Sequence, residues 1–302
     1  MNSKVQSLKD FLAGPGRIAL AEVAGTKGST PREKGAFMLV SREAIFGTIG
    51  GGQLEYMAID KARQMVASSP PRKPQGQEAR IEVDEVCATL DVPLGPEIGQ
   101  CCGGRVEVLI RLVDVDLAAE LVAAAQTEEA HLPHVYIFGG GHVGQALAAA
   151  IALLPVHGVV IETRAEALEG MPQTVETRLT PMPEAEVRNA PAGTGFAILT
   201  HDHALDFLIV SEALRRDDAA YVGMIGSKTK KATFRNWFLK SAEGTEAEFA
   251  RLVSPIGGDA VKDKRPQVIA ALAAAEIMTA LVVHTAASNA DHQVPQHRVL
   301  AG

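Results

Sequence analysis

The sequence predicts an α/β protein of two domains: a mixed α+β domain, then a domain wound on a parallel sheet. Three observations carry this reading. At 302 residues the chain exceeds one ordinary domain and suits two. Aromatic residues supply only 4% of the chain, so its cores must be built from Ala, Val, Leu and Ile, which suits helix-covered sheets. From Pro133 onward, short apolar runs alternate with helix-like stretches, as in parallel strands joined by helical crossovers.

Taken in order, Arg17–Val23 and Ala36–Val40 are short runs bounded by turn residues and predict strands. Leu54–Ala67 predicts a helix, because Leu54, Met57, Ala58, Met65 and Val66 share one face. The Pro- and Gln-rich stretch Ser68–Gln77 predicts an exposed loop. Cys87, within EVCATLDV, reads as core, and Arg105–Val113 alternates like a strand. Asp114–Ala130, rich in Ala and Glu, predicts a helical connector.

Beyond Pro133, strands are expected at His134–Phe138, Gly158–Ile161, Gly195–Leu199 and Ala220–Ile225. An Ala-rich helix is expected from His142 to Leu153, and one long amphipathic helix from Arg265 to Val283. The expected boundaries are 1–115 for the first domain and 116–133 for a helical linker. The second domain takes 134–285 and a tail takes 286–302.

Net charge is −7, from 36 acidic and 29 basic residues, which argues against a non-specific nucleic-acid binder. The start, MNSKVQSLKDFLAGPGR, lacks the apolar core of a signal peptide. The longest apolar run, Val268–Val283, is interrupted by Glu276 and reads as too short to cross a bilayer. Three cysteines do not make a disulfide framework. A cytoplasmic protein is the expectation.

HVYIFGGGHVGQALAAAI places Gly139, Gly141 and Gly144 in a G-x-G-x-x-G pattern between a strand and a helix that opens at His142. In a Rossmann-like domain the first glycine allows the tight turn, the second lets a pyrophosphate approach, and the third lets helix and strand pack closely. The helix N-terminus then offers its amides to phosphate. Glu162 stands where an acidic residue would hold a ribose hydroxyl, which favours an NAD-like over an NADP-like ligand; Arg164 weakens that preference. THDHALD, after the strand at 195–199, places His201 and His203 where an acid/base group would sit, with Thr200 or Asp202 as an alternative helix cap. Gly226, Ser227 and Lys228 end another strand, as an anion site or as a plain turn.

In the first domain, Gly50, Gly51 and Gly52 precede a helix whose first turn holds Gln53 and Glu55. Such a loop can cradle a phosphate with its amides, or can simply turn a corner that needs positive φ. Arg32 and Lys34 supply positive charge nearby.

GQCCGG sets Cys101 and Cys102 side by side between glycines. A thiolate is a soft ligand, suited to molybdenum, copper(I), zinc or an iron–sulfur centre. Zinc and iron–sulfur fit poorly, since Cys87 is distant and no C-x-x-C pair exists. A bridge between neighbours is strained. Soft ligand, sulfur relay and small buried residue all stay open on chemistry alone.

The chain resembles the XdhC/CoxI family. The resemblance rests on GSTPREKGAFMLV at 28–40, GTIGGGQLE at 47–55, LGPEIGQCCGGRVEV at 94–108 and IFGGGHVGQALA at 137–148. It continues through LTHDHALD at 199–206, YVGMIGSKTKK at 221–231 and KDKRPQVIAALAAAEI at 262–277. That family implies an N-terminal XdhC/CoxI domain, a C-terminal Rossmann domain, and a role as accessory factor to xanthine dehydrogenase and related molybdenum hydroxylases. It implies that the protein holds molybdenum cofactor (molybdopterin) for sulfuration by a cysteine desulfurase and delivers it to the apo-dehydrogenase. Cys101 and Cys102 match its cysteine motif and become the candidate ligands of cofactor and metal. Further expected partners are the cofactor's biosynthesis proteins and a second copy of the chain. Two departures stand out: Glu162 where Asp is common, and GDAVKDKRP after Ser254–Gly257 where a more apolar stretch is common. The rival reading is an NAD-dependent oxidoreductase using Glu162 with His201 or His203.

Overall fold

A computed structural model describes residues 4–67, 87–94 and 103–292. The predicted loop at 68–77 and the pair Cys101–Cys102 lie outside the described residues. The chain divides into two compact units, Ser3–Glu128 and, apart from the first two residues, Glu129–Gly302.

The first unit is a five-stranded antiparallel sheet covered on both faces. Its elements are α1 (Lys4–Leu12), β1 (Ala19–Lys27), β2 (Phe37–Val40), β3 (Ile45–Gly47), α2 (Gly52–Ala67), β4 (Cys87–Pro93), β5 (Arg105–Leu112) and α3 (Val115–Ala130). The strand order is β3-β2-β1-β5-β4. Side chains of β1 alternate between two cores. Ala19, Ala21 and Val23 join Leu54, Ala58, Ala62 and Met65 of α2. Leu20 joins Leu8 of α1 and Leu117 of α3 on the other face. The helix expected as a linker at 116–133 is therefore a packed layer of this unit, because Leu117, Leu121, Val122 and Ala125 bury against the sheet. Cys87, expected in the core, is exposed at the start of β4, an edge strand.

The second unit carries β6 (His134–Phe138), α4 (His142–Ile151), β7 (His157–Glu162), β8 (Glu176–Leu179), α5 (Pro183–Asn189) and β9 (Gly195–Ile198). It continues with α6 (His203–Leu214), β10 (Tyr221–Met224), α7 (Lys228–Lys240), α8 (Glu246–Ala250), β11 (Leu252–Val253) and α9 (Pro266–His292). All six strands run parallel, in the order β11-β10-β9-β6-β7-β8. That is the doubly wound order whose direction of travel reverses between β6 and β9. Helices α4 and α9 cover one face, and α5, α6 and α7 cover the other. The central strands read as continuous apolar runs because both faces are buried.

Helix α9 runs past the boundary expected at 285. By length and composition its residues Pro266–Ser288 would suffice to cross a membrane, so the expectation of too short a run does not hold. One face is nevertheless core: Ala270, Ala273, Ala274, Ile277 and Leu281 are buried on the sheet. Glu276, the residue that interrupts the run, accepts a hydrogen bond from Tyr221 of β10.

Candidate functional site

Each unit gathers its sequence motifs at one end of its sheet. In the second unit this is the carboxyl end, beside the β6/β9 reversal, where ligands of such sheets bind. Gly139 leaves β6 with φ +110°, and a Cβ there would lie 2.6 Å from the Leu199 carbonyl oxygen. A Cβ on Gly144 would lie 1.9 Å from the Gly139 oxygen, so α4 approaches the strand as only glycine permits. A Cβ on Gly140 would lie 2.3 Å from the Ala167 oxygen, a constraint that the three-glycine pattern does not mark. Above Gly141 there is open space, and as N-cap of α4 it supplies no side-chain acceptor to the first-turn amides. His142 is exposed beside it. The opening stands where a phosphate would meet the helix N-terminus.

Glu162 sits at the end of β7 as expected, but its carboxylate serves the protein itself. It is 4% exposed. One oxygen accepts from the Gly140 amide at 2.8 Å and the Arg164 guanidinium at 3.3 Å. The other accepts from the Thr163 amide and hydroxyl and from the Arg164 amide and Nε, at 2.8–3.4 Å. A carboxylate has about four lone-pair sites, and all are taken. Burial opposes the charge, yet the donors from Gly140, Arg164 and Thr163 outweigh it and hold the carboxyl at about 2. The ribose role expected for Glu162 thus finds its oxygens engaged in pinning the glycine turn.

After β9, Asp202 caps α6, accepting from the Ala204 amide at 2.8 Å and the Leu205 amide at 3.4 Å. His201 precedes the cap and His203 opens the helix, both exposed. The group beneath them was not visible in the sequence. Asp206 is fully buried, accepts from the Thr200 amide at 3.0 Å and hydroxyl at 2.6 Å, and pairs with buried Lys230 of α7. After β10, Ser227 caps α7 through the Lys230 amide, and Lys228 pairs with Asp259 at 3.4 Å. That loop is therefore a helix cap, with its lysine engaged.

In the first unit, three motifs meet at one end of the sheet. Leu94 bonds through its backbone to both Gly103 and Gly104, with Leu94 N donating to Gly104 O and Gly103 N to Leu94 O, both at 2.8 Å. A Cβ on Gly104 would lie 2.1 Å from the Ser29 oxygen, so the 28–32 loop lies against the backbone that follows the cysteine pair. A Cβ on Gly50 would lie 2.6 Å from Pro31 and 3.3 Å from Arg32, so the same loop also covers the triple glycine.

Gly50, Gly51 and Gly52 all have positive φ, which explains the run. Two of their three amides are already engaged: Gly50 N donates to the Thr48 hydroxyl at 3.1 Å, and Gly51 and Gly50 both act on the Glu55 carboxylate. Glu55 folds back from α2 and accepts from the Thr48 hydroxyl and the Ile49 amide. Burial opposes its charge, but Thr48, Ile49, Gly51 and Gly50 together draw the carboxyl below its usual range. Gln53 and Arg32 are exposed. Among the described residues, no group of three or more His, Cys, Asp or Glu side chains is arranged to hold a metal.

The strand order, the glycine turn and the opening above Gly141 define the class: a Rossmann-type domain carried behind an antiparallel α+β domain. The XdhC Rossmann domain family matches residues 135–277, and the XdhC and CoxI family matches residues 12–75. Between them they span well over half the chain, which belongs to the XdhC family. An uncharacterised Escherichia coli protein, YqeB, is 27% identical over 271 residues, covering 86% of this chain and 43% of that protein. The chain thus spans less than half the length of that curated relative. A solved Bacillus halodurans structure, described as a xanthine dehydrogenase, is 17% identical with a TM-score of 0.72. It covers 93% of this chain and 96% of its own, a likeness of fold.

Proposed function

We propose that this protein is an accessory factor of xanthine dehydrogenase maturation. It holds molybdenum cofactor as cargo while the metal gains a terminal sulfur from a cysteine desulfurase, and then passes the cofactor to the apo-enzyme. The observation that carries the reading is the meeting of three family motifs at one end of the first unit's sheet. Pro31 and Arg32 lie over Gly50, and Ser29 lies over Gly104, two residues beyond Cys102. Arg32 supplies an exposed cation for the cofactor's phosphate. Cys101 and Cys102 supply soft sulfur for the molybdenum. Because Thr48 and Glu55 already engage the Gly50 and Gly51 amides, the phosphate is assigned to Arg32 and not to those two amides.

The test is cofactor and metal analysis of protein purified from cells that make molybdenum cofactor. The wild-type chain retains the cofactor, and Cys101→Ala/Cys102→Ala loses it. Full, stable retention by the double variant would refute the thiol role.

The Rossmann crevice supports a second, separate binding role. The open space at Gly141 and the uncapped start of α4 fit the phosphates of a nucleotide, whereas Glu162 does not fit the ribose role. Calorimetric titration with NAD and with ADP tests this, and the absence of binding at millimolar concentration refutes it.

A further inference from the structure

Beside the opening at Gly141, the Rossmann crevice carries two further features. The first is Arg164, two residues past the end of β7. Its Nε and Nη2 meet the Glu162 carboxylate at 3.4 and 3.3 Å, which leaves the two N–H groups of Nη1 to donate. The side chain is 40% exposed. The second is an apolar ledge at the carboxyl end of the neighbouring strand, β8. Leu179 ends that strand, Met182 immediately precedes α5, and each is more than half exposed. Leu179 stands opposite Glu162 in the β7–β8 register, and the Thr180 amide donates to the Glu162 carbonyl at 2.9 Å. The ledge therefore lies beside the turn that carries Arg164.

We propose that the crevice selects a nucleotide with a phosphate on the 2′ position of its ribose, as in NADP; this rests on the reading that the crevice binds a nucleotide at all. In sheets of this order the pyrophosphate sits at the glycine turn and the ribose reaches the end of the next strand, here β7. A free 2′-hydroxyl needs a carboxylate acceptor at that point. Glu162 cannot serve, because it is buried and its oxygens are taken by Gly140, Thr163 and Arg164. A 2′-phosphate needs donors instead, and Arg164 Nη1 offers two from a guanidinium. Glu166 and Glu169 of the following turn are exposed, so water and salt screen their repulsion, whereas guanidinium and phosphate meet in contact. Leu179 and Met182 give the flat base an apolar surface beside the ribose.

Calorimetric titration of the full chain with NADP and with NAD, each separately, tests it. NADP is expected to bind about tenfold more tightly than NAD. Arg164→Gln should erase that difference by weakening NADP alone, with Trp237 of α7 reporting by its fluorescence that the second unit stays folded. NAD binding as tightly as NADP in the wild-type chain overturns the proposal and leaves the nucleotide reading standing. A preference for NADP that survives in a folded Arg164→Gln variant also overturns it. Binding of neither ligand at roughly millimolar concentration overturns the proposal and the nucleotide reading together.

Discussion

Replacing Glu162 by Gln isolates what the buried carboxylate does for the glycine turn. The substitution keeps the size and one acceptor but removes the charge and turns an amide NH2 toward donors that already point inward. The carboxyl is depressed from 4.5 to about 2, which corresponds to roughly 3 kcal/mol of preference for the charged form in the fold. Arg164, its ion-pair partner, keeps 40% of its side chain exposed, so solvent weakens that part of the attraction. About 2 kcal/mol is the expected loss at neutral pH, or roughly 4–8 °C in the midpoint of a domain of this size.

The pH dependence has a definite sign. With the folded carboxyl below its unfolded value, the stabilisation is complete above about pH 4.5 and fades as pH falls toward 2. The wild-type chain should therefore lose stability across that window, and Glu162→Gln should show a flatter acid limb. Trp237, the sole tryptophan, lies in α7 of the second unit, so its fluorescence during urea or thermal unfolding reports on that unit alone. An unchanged midpoint with an unchanged acid limb would refute the reasoning.

Three further outcomes follow from the same geometry. Gly144→Ala places a methyl 1.9 Å from the Gly139 oxygen, and because that atom is backbone, the expected net cost is about 2 kcal/mol despite the gain in helix propensity. Trp237 fluorescence on heating reads it, and a raised midpoint would contradict the close approach. Asp202→Ala removes the cap of α6 and should cost about 1 kcal/mol, seen as a lower urea midpoint at unchanged slope. Glu55→Gln should release the amides of Ile49, Gly50 and Gly51, so their hydrogen exchange speeds up about tenfold relative to the α2 amides. Unaltered protection at those amides would show that the carboxylate does not organise the loop.

Local signals made much of the fold legible. The turn after β6 was readable from its glycine spacing between a strand and a helix, and short apolar or alternating runs located β1, β2, β5, β6, β7, β9 and β10. The short outer strands β8 and β11 carry too few apolar residues to stand out, and β4 follows a stretch without pattern. The Asp114–Ala130 helix was visible as a helix but not as a packed layer, since the surface it covers is made by α1 and the sheet. Charges misled for one physical reason. Sequence position placed Glu162 and Glu55 beside glycine loops, but only three dimensions show that each carboxylate has turned inward and taken the amides. The Asp206–Lys230 pair joins residues on separate helices, and no local pattern marks it.

That pair also bears on how sequences of this kind can change over generations. Replacing Asp206 or Lys230 alone leaves the other's charge stranded in the interior, at about 3–5 kcal/mol. A domain with a net stability of only 5–15 kcal/mol has little room for such an intermediate. Replacing both with apolar side chains removes the stranded charge, yet it deprives Thr200 of the acceptor for its amide and hydroxyl. Thr200, Asp206 and Lys230 are therefore expected to be inherited together or exchanged together, as one character spread over three positions.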